Sequence, residues 1–131
     1  MRDLFERLRQ EGCSVIEELV KNRHPETVQL DFKLKENLTN GELNKKDREI
    51  LGPALSALAN SAGGLLIWGI EAKRGADGVD AAQKKVPIPQ LSRFRSDVIR
   101  AVAELLMPRH DGIDIETVED PATAGAGYLA I

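Results

Sequence analysis

A chain of 131 residues, 42% hydrophobic and 30% charged, is the size of one domain and apolar enough to build a single core. A formal net charge of −3 and a pI near 5.4 exclude a uniformly basic nucleic-acid binder, but not a local basic patch. One cysteine excludes an internal disulfide, the charged start MRDLFERLRQE excludes a secretory signal, and no apolar run approaches the roughly 20 residues of a membrane span, so the expected address is the cytoplasm.

Residues 2–10 read as a short helix with Leu4, Phe5 and Leu8 on one side, broken by Gly12. Ser14 followed by Glu17 has capping-box spacing, and Val15, Ile16, Leu19 and Val20 give the next helix its apolar face. Pro25 excludes continuation of that helix through His24. Residues 28–34 then alternate. Val28, Leu30, Phe32 and Leu34 face one way, while Gln29, Asp31, Lys33 and Lys35 face the other, as in a half-buried strand with charged groups on its open side.

Residues 36–41 form a polar turn, and Asn44 with Asp47 can cap the central helix. That helix carries Ile50, Leu51, Ala54, Leu55, Leu58 and Ala59 as one apolar stripe, with Pro53 expected to kink it or to end a first segment at Gly52. Asn60 and Ser61 interrupt the stripe, and Gly63-Gly64 falls where a left-handed cap would lie. Leu65, Leu66, Ile67 and Trp68 form a short apolar run, typical of a strand covered on both faces. Gly69 after it points to a bend or a close backbone approach.

Residues 71–85 are polar and carry Gly75 and Gly78, as in a hairpin-like surface loop. Pro87 and Pro89 lead into a helix with Leu91, Phe94, Val98, Val102 and Leu105 on its buried side and Arg93, Arg95 and Arg100 toward solvent. Residues 113–118 alternate as a strand, residues 121–127 form a small-residue turn, and residues 128–131 begin another strand. The expected fold class is α+β, with a mixed or mostly antiparallel sheet packed by helices. Because the last residues read as mid-strand, the expectation is an amino-terminal domain of a longer protein with further carboxy-terminal domains.

The residues Glu26, Leu30-Asp31-Phe32-Lys33, Ala57, Asn60, Gly63-Gly64 and Gly69-Ile70, followed by Gly75 and Gly78, resemble the Schlafen-type AlbA-like domain in order and spacing. The specific match spans residues 25–79. It places a helical segment at 1–24 ahead of an AlbA-like domain at 25–131. Asp31 stands where that family more often has glutamate, and Trp68 where it more often has an aliphatic residue. The resemblance implies an α+β domain whose relatives bind DNA or RNA in regulatory or defence proteins. It also implies a nuclease alternative, because some Schlafen relatives are metal-dependent endonucleases of structured RNA such as tRNA. Their acids match Glu26, Asp31 and Glu71 here.

The chemistry of that alternative is plain. Magnesium or manganese prefers carboxylate oxygens, and converging carboxylates could hold such an ion against a scissile phosphate. Lys33, on the same strand face as Asp31, could then stabilise the developing negative charge. Glu26 has the opposite parity to Asp31, so convergence requires a turn after Pro25 or a bulge. The binding reading needs only a basic surface. Its candidates are Lys33, Lys35, Lys73, Arg74, Lys84, Lys85, Arg93 and Arg95, with Lys45, Lys46, Arg48 and Arg100 nearby in sequence. A protein-interaction or dimerisation module, with a homodimer as its simplest form, is the third class, favoured by the acidic balance.

Other motifs carry less. Gly63-Gly64 follows a helix, whereas a phosphate loop precedes one, so no ATPase is read here. His24, His110 and Cys13 fall short of a zinc site. Cys13 reads as a small, partly buried residue, Trp68 as core, and Asn60 as a cap or turn residue.

Overall fold

The structure, a computed structural model, describes residues 1–60, 63–105 and 112–131. In chain order the elements are α1 (Arg2–Glu11), α2 (Cys13–Lys21), β1 (Leu30–Lys33), α3 (Lys45–Asn60), β2 (Leu65–Trp68), β3 (Ile70–Arg74), β4 (Asp80–Lys85), α4 (Leu91–Leu105), β5 (Glu116–Glu119) and β6 (Gly127–Ala130). One sheet has the order β1-β2-β6-β5, with β1 and β2 parallel and the other pairs antiparallel; β3 and β4 form a separate antiparallel ribbon. This is the mixed sheet of a single α+β domain.

The four residues of β2 are all buried because the sheet is covered on both sides. Leu65 and Ile67 join Phe5, Leu8, Ile16 and Leu19 of α1 and α2 in one core. Leu66 and Trp68 join Leu51, Leu55, Phe94 and Val98 of α3 and α4 in the other. Trp68 meets Phe94 edge-on, with ring centres 5.4 Å apart, and is core as its sequence context indicates. Gly69 adopts φ 110°, and a Cβ there would lie 2.6 Å from Tyr128 Cδ1, so the close approach read from its position is real.

The helix ends differ from the sequence pattern in instructive ways. Ser14 does not cap α2; its Oγ donates to the Glu11 carbonyl at 3.2 Å, while Gly12 at φ 70° joins the two helices. Helix α2 closes with a Schellman motif, in which the His24 N–H donates to Leu19 O at 2.9 Å and the Arg23 N–H to Val20 O at 3.1 Å. Arg23 fills the left-handed position at φ 49°, where glycine is usual, at a backbone cost of about 1 kcal/mol. Helix α3 runs through Pro53 rather than ending at Gly52. Its start is the reciprocal cap expected of Asn44 and Asp47: Asp47 N–H donates to Asn44 Oδ1 at 2.9 Å, and Asn44 N–H to Asp47 Oδ2 at 3.3 Å.

Strand β1 is shorter than its alternating pattern. Val28 is 87% exposed and Leu34 is also exposed, so neither belongs to an apolar face. Past Lys33 the chain turns inward. The Lys35 side chain is fully buried, 3.5 Å from Asp47 Oδ2, and donates to the Asn37 carbonyl at 2.6 Å. The placement of Lys35 on an open, nucleic-acid-facing surface is therefore corrected: its charge holds loop 36–44 to the start of α3.

Residues 71–85 are more ordered than a surface loop. They complete the β3–β4 hairpin, whose turn is closed by Gly75 N–H to Val79 O at 3.0 Å, with Gly78 at φ 79°. The strand expected over 113–118 begins only at Glu116.

Candidate nucleic-acid interface

Glu26 reaches Asp31 by a turn. Thr27 and Leu30 exchange backbone hydrogen bonds of 3.0 and 3.3 Å, which fold residue 26 back along the free edge of β1. There the Glu26 Oε1 accepts the Phe32 N–H at 2.9 Å, while its own N–H donates to Asp80 O at 2.8 Å. The parity conflict in the sequence is resolved in this way. Burial pushes the Glu26 carboxyl above its ordinary range; the Phe32 N–H opposes the shift, and the neighbouring Asp31 and Asp80 add to it.

Asp31 is already engaged, its Oδ2 lying 3.2 Å from Lys33 Nζ. Glu71 stands on β3 opposite Lys84, 3.5 Å from Lys73 Nζ. Among the described residues no group of three or more His, Cys, Asp or Glu side chains is placed to hold a metal ion. Glu26 and Asp31 come together and Glu71 does not complete the set. A magnesium or manganese ion held by this pair alone would have to complete its oxygen shell with water and substrate phosphate.

The basic candidates divide by environment. On the hairpin, the Lys73 and Arg74 side chains are 67% and 76% exposed, in loose ion pairs of 3.5 Å to Glu71 and 3.8 Å to Asp80, and Lys84 is exposed beside them. Lys85 instead points back to α2, 3.2 Å from Glu17. Arg93 and Arg95 are exposed on α4, away from the hairpin ribbon, with Arg93 3.7 Å from Glu42.

Two cations escaped the sequence pattern. Lys21 and Arg23 are exposed and, among the described residues, carry no ion pair. Helical spacing offers Glu17 and Glu18 as neutralising partners for Lys21. The fold withdraws both: Glu17 to Lys85, and Glu18 to Arg7 at 2.8 Å. Residues 21–25 then run beside β4, with Ala82 N–H donating to His24 O at 2.9 Å and Pro25 bridged to Ala81. No sequence signal marks them, because the deciding contacts are long-range.

The remaining candidates are quiet. Burial pushes the Cys13 thiol up, with Asp120 and Glu17 adding to the shift, the reverse of an activated nucleophile. His24 Nδ1 lies 3.0 Å from Pro25 O. The Asn60 side chain, Ser61 and His110 lie outside the described residues. All five aromatic side chains, Phe5, Phe32, Trp68, Phe94 and Tyr128, are buried.

With that geometry in hand, the chain is similar to the solution NMR structure of the N-terminal domain of a protein from Nitrosomonas europaea described as related to the ATP-dependent DNA helicase RecG. The TM-score is 0.57 at 18% sequence identity, covering 88% of this chain and 67% of that one. What is shared is the fold. No protein-family model matches the chain, and no curated protein matches it significantly.

Proposed function

We propose that this domain is a nucleic-acid-binding module at the head of a larger regulatory or defence protein, and that it contacts phosphates through the β3–β4 hairpin. The observation that carries the reading is the exposure of Lys73, Arg74 and Lys84 together on one two-stranded ribbon. The Schlafen-type resemblance carried by Leu30-Asp31-Phe32-Lys33 and Gly63-Gly64, and the fold shared with an N-terminal domain of a RecG-related protein, support it from two directions. The expected address of such a module is the cytoplasm.

The runner-up, an endoribonuclease, draws on the meeting of Glu26 with Asp31 beside Lys33. One experiment separates the readings. The protein is incubated with mixed tRNA and with duplex DNA, with Mn²⁺ or EDTA, and read by gel shift and cleavage together. The account predicts a salt-sensitive shift, weakened in Lys73→Gln/Arg74→Gln, without cleavage. Metal-dependent cuts that vanish in Asp31→Ala would install the nuclease in its place, and no shift at low salt would send the search to a protein partner.

A further inference from the structure

We propose that Lys21 and Arg23, adjoining the strand that carries Lys84, contact the phosphates of a nucleic-acid duplex. The inference rests on the nucleic-acid reading above; it adds residues to that surface and names the form of nucleic acid that the surface fits.

Charge supplies the first argument. Most lysines and arginines among the described residues sit against a carboxylate, which leaves little free positive charge on an acidic protein. Lys21, Arg23 and Lys84 are exceptions, and the backbone pairing of His24 and Pro25 with Ala82 and Ala81 brings them to one region. Lys45, Lys46 and Arg95 also lack ion pairs among the described residues, but come from the start of α3 and from α4. The acids nearest Lys21 in helical spacing are held elsewhere, so an approaching phosphate meets uncompensated cations.

Backbone strain supplies the second. Among the described residues, two other than glycine have positive φ, Arg23 at 49° and Gln90 at 48°. Gln90 is held by the fold, since its Oε1 accepts the Gly41 N–H at 3.0 Å and its carbonyl accepts the Arg93 N–H at the start of α4. The Arg23 backbone is held by the Schellman hydrogen bonds, but those bonds would serve glycine without strain, and the guanidinium makes no hydrogen bond or ion pair among the described residues. A strained residue whose side chain serves nothing inside the molecule points to a partner outside it.

The form of nucleic acid follows from the aromatics. Recognition of single strands relies on unstacked bases laid on exposed aromatic rings, and every Phe, Tyr and Trp ring here is inside the core, with the His24 imidazole only partly exposed beside Arg23. A surface of exposed cations without a Phe, Tyr or Trp platform is suited to the paired backbone of a duplex, of DNA or of RNA.

The test uses fluorescence anisotropy with a labelled DNA duplex of roughly 20 base pairs, the matching RNA duplex, and each single strand, across a salt series. The wild type is expected to bind a duplex more tightly than either single strand, and whichever duplex wins identifies the source. Arg23→Gly is expected to weaken duplex binding roughly three- to tenfold and to reduce the slope of log K against log salt by about 1. The same change should raise the melting temperature by roughly 3 °C, because it relieves the left-handed strain. Lys21→Gln, which leaves the backbone alone, should weaken binding in the same direction, and Arg23→Lys should retain the salt slope. If Arg23→Gly and Lys21→Gln bind duplex with unchanged affinity and slope, or if single strands bind more tightly, the inference is overturned while hairpin binding stands. If the wild type binds no nucleic acid at low salt, the underlying reading falls with it.

Discussion

Replacing Asp47 by alanine removes the group that ties three parts of the fold together. Its Oδ1 accepts the Glu36 N–H at 3.0 Å, its Oδ2 accepts the Asn44 N–H at 3.3 Å, and the same oxygen faces Lys35 Nζ at 3.5 Å, with both side chains fully buried. Deleting one partner of a buried pair leaves an uncompensated charge, at a cost of about 3–5 kcal/mol. Loss of the reciprocal cap adds about 1 kcal/mol. A net loss near 5 kcal/mol in a domain of this size lowers the melting temperature by roughly 18 °C. Lys35→Met should cost less, about 2 kcal/mol, because the remaining carboxylate keeps two backbone donors. Urea unfolding followed by the fluorescence of Trp68, the sole tryptophan and fully buried, reads both variants. An Asp47→Ala penalty under about 1 kcal/mol, or a larger penalty for Lys35→Met, would refute the assignment of this pair as a buried staple. Lys35→Met should also bind nucleic acid as the wild type does, since its ammonium never reaches the surface.

Gly69→Ala combines a positive φ with a Cβ 2.6 Å from Tyr128 Cδ1, and should cost about 2–4 kcal/mol in chemical denaturation; a loss below about 1 kcal/mol would mean the contact relaxes easily. Glu26→Gln keeps an acceptor for the Phe32 N–H and removes a carboxylate whose folded pKa is raised. A raised carboxyl pKa means the ionised form is disfavoured in the fold, so wild-type stability falls as pH climbs above the ordinary value of 4.5. Thermal melts should therefore show the variant melting higher than wild type at neutral pH, with the gap closing below pH 4.5; a wild type that gains on the variant as pH rises would contradict this. Lys84→Gln should weaken duplex binding without moving the melting temperature by more than a degree or so, as expected of an exposed side chain with no ion pair among the described residues.

The sequence carried most of the scaffold because periodicity is local. The stripe from Leu51 to Leu58, the Leu65–Trp68 run and the Leu91, Phe94, Val98 spacing each report one element's buried face, and each appears where its pattern puts it. The β3–β4 segment was legible only as a hairpin-like loop, because beyond Ile70 its inward positions are the partly buried Ala72 and the buried Ala82, too small to stand out between charged neighbours. Lys35 continued an alternation that the backbone abandons two residues earlier, and only the distant Asp47 explains why a lysine can be buried there. The same limit applies to the site. Lys73 and Arg74 were legible as a basic pair beside glycines, whereas Lys21 and Arg23 become free cations only through ion pairs that join α2 to α1 and to β4. Glu26 and Asp31, of opposite parity, meet because of a turn that no spacing rule encodes.

The central claim is that the hairpin binds nucleic-acid phosphates, and the most direct test is a salt titration of duplex binding for the wild type against Lys73→Gln/Arg74→Gln/Lys84→Gln. With Lys21 and Arg23 contributing, the wild type is predicted to show a log K against log salt slope between about −3 and −5, and the triple variant to lose roughly 3 of that magnitude while remaining folded. A wild type that fails to bind at low salt, or a triple variant with the wild-type slope, would contradict the account.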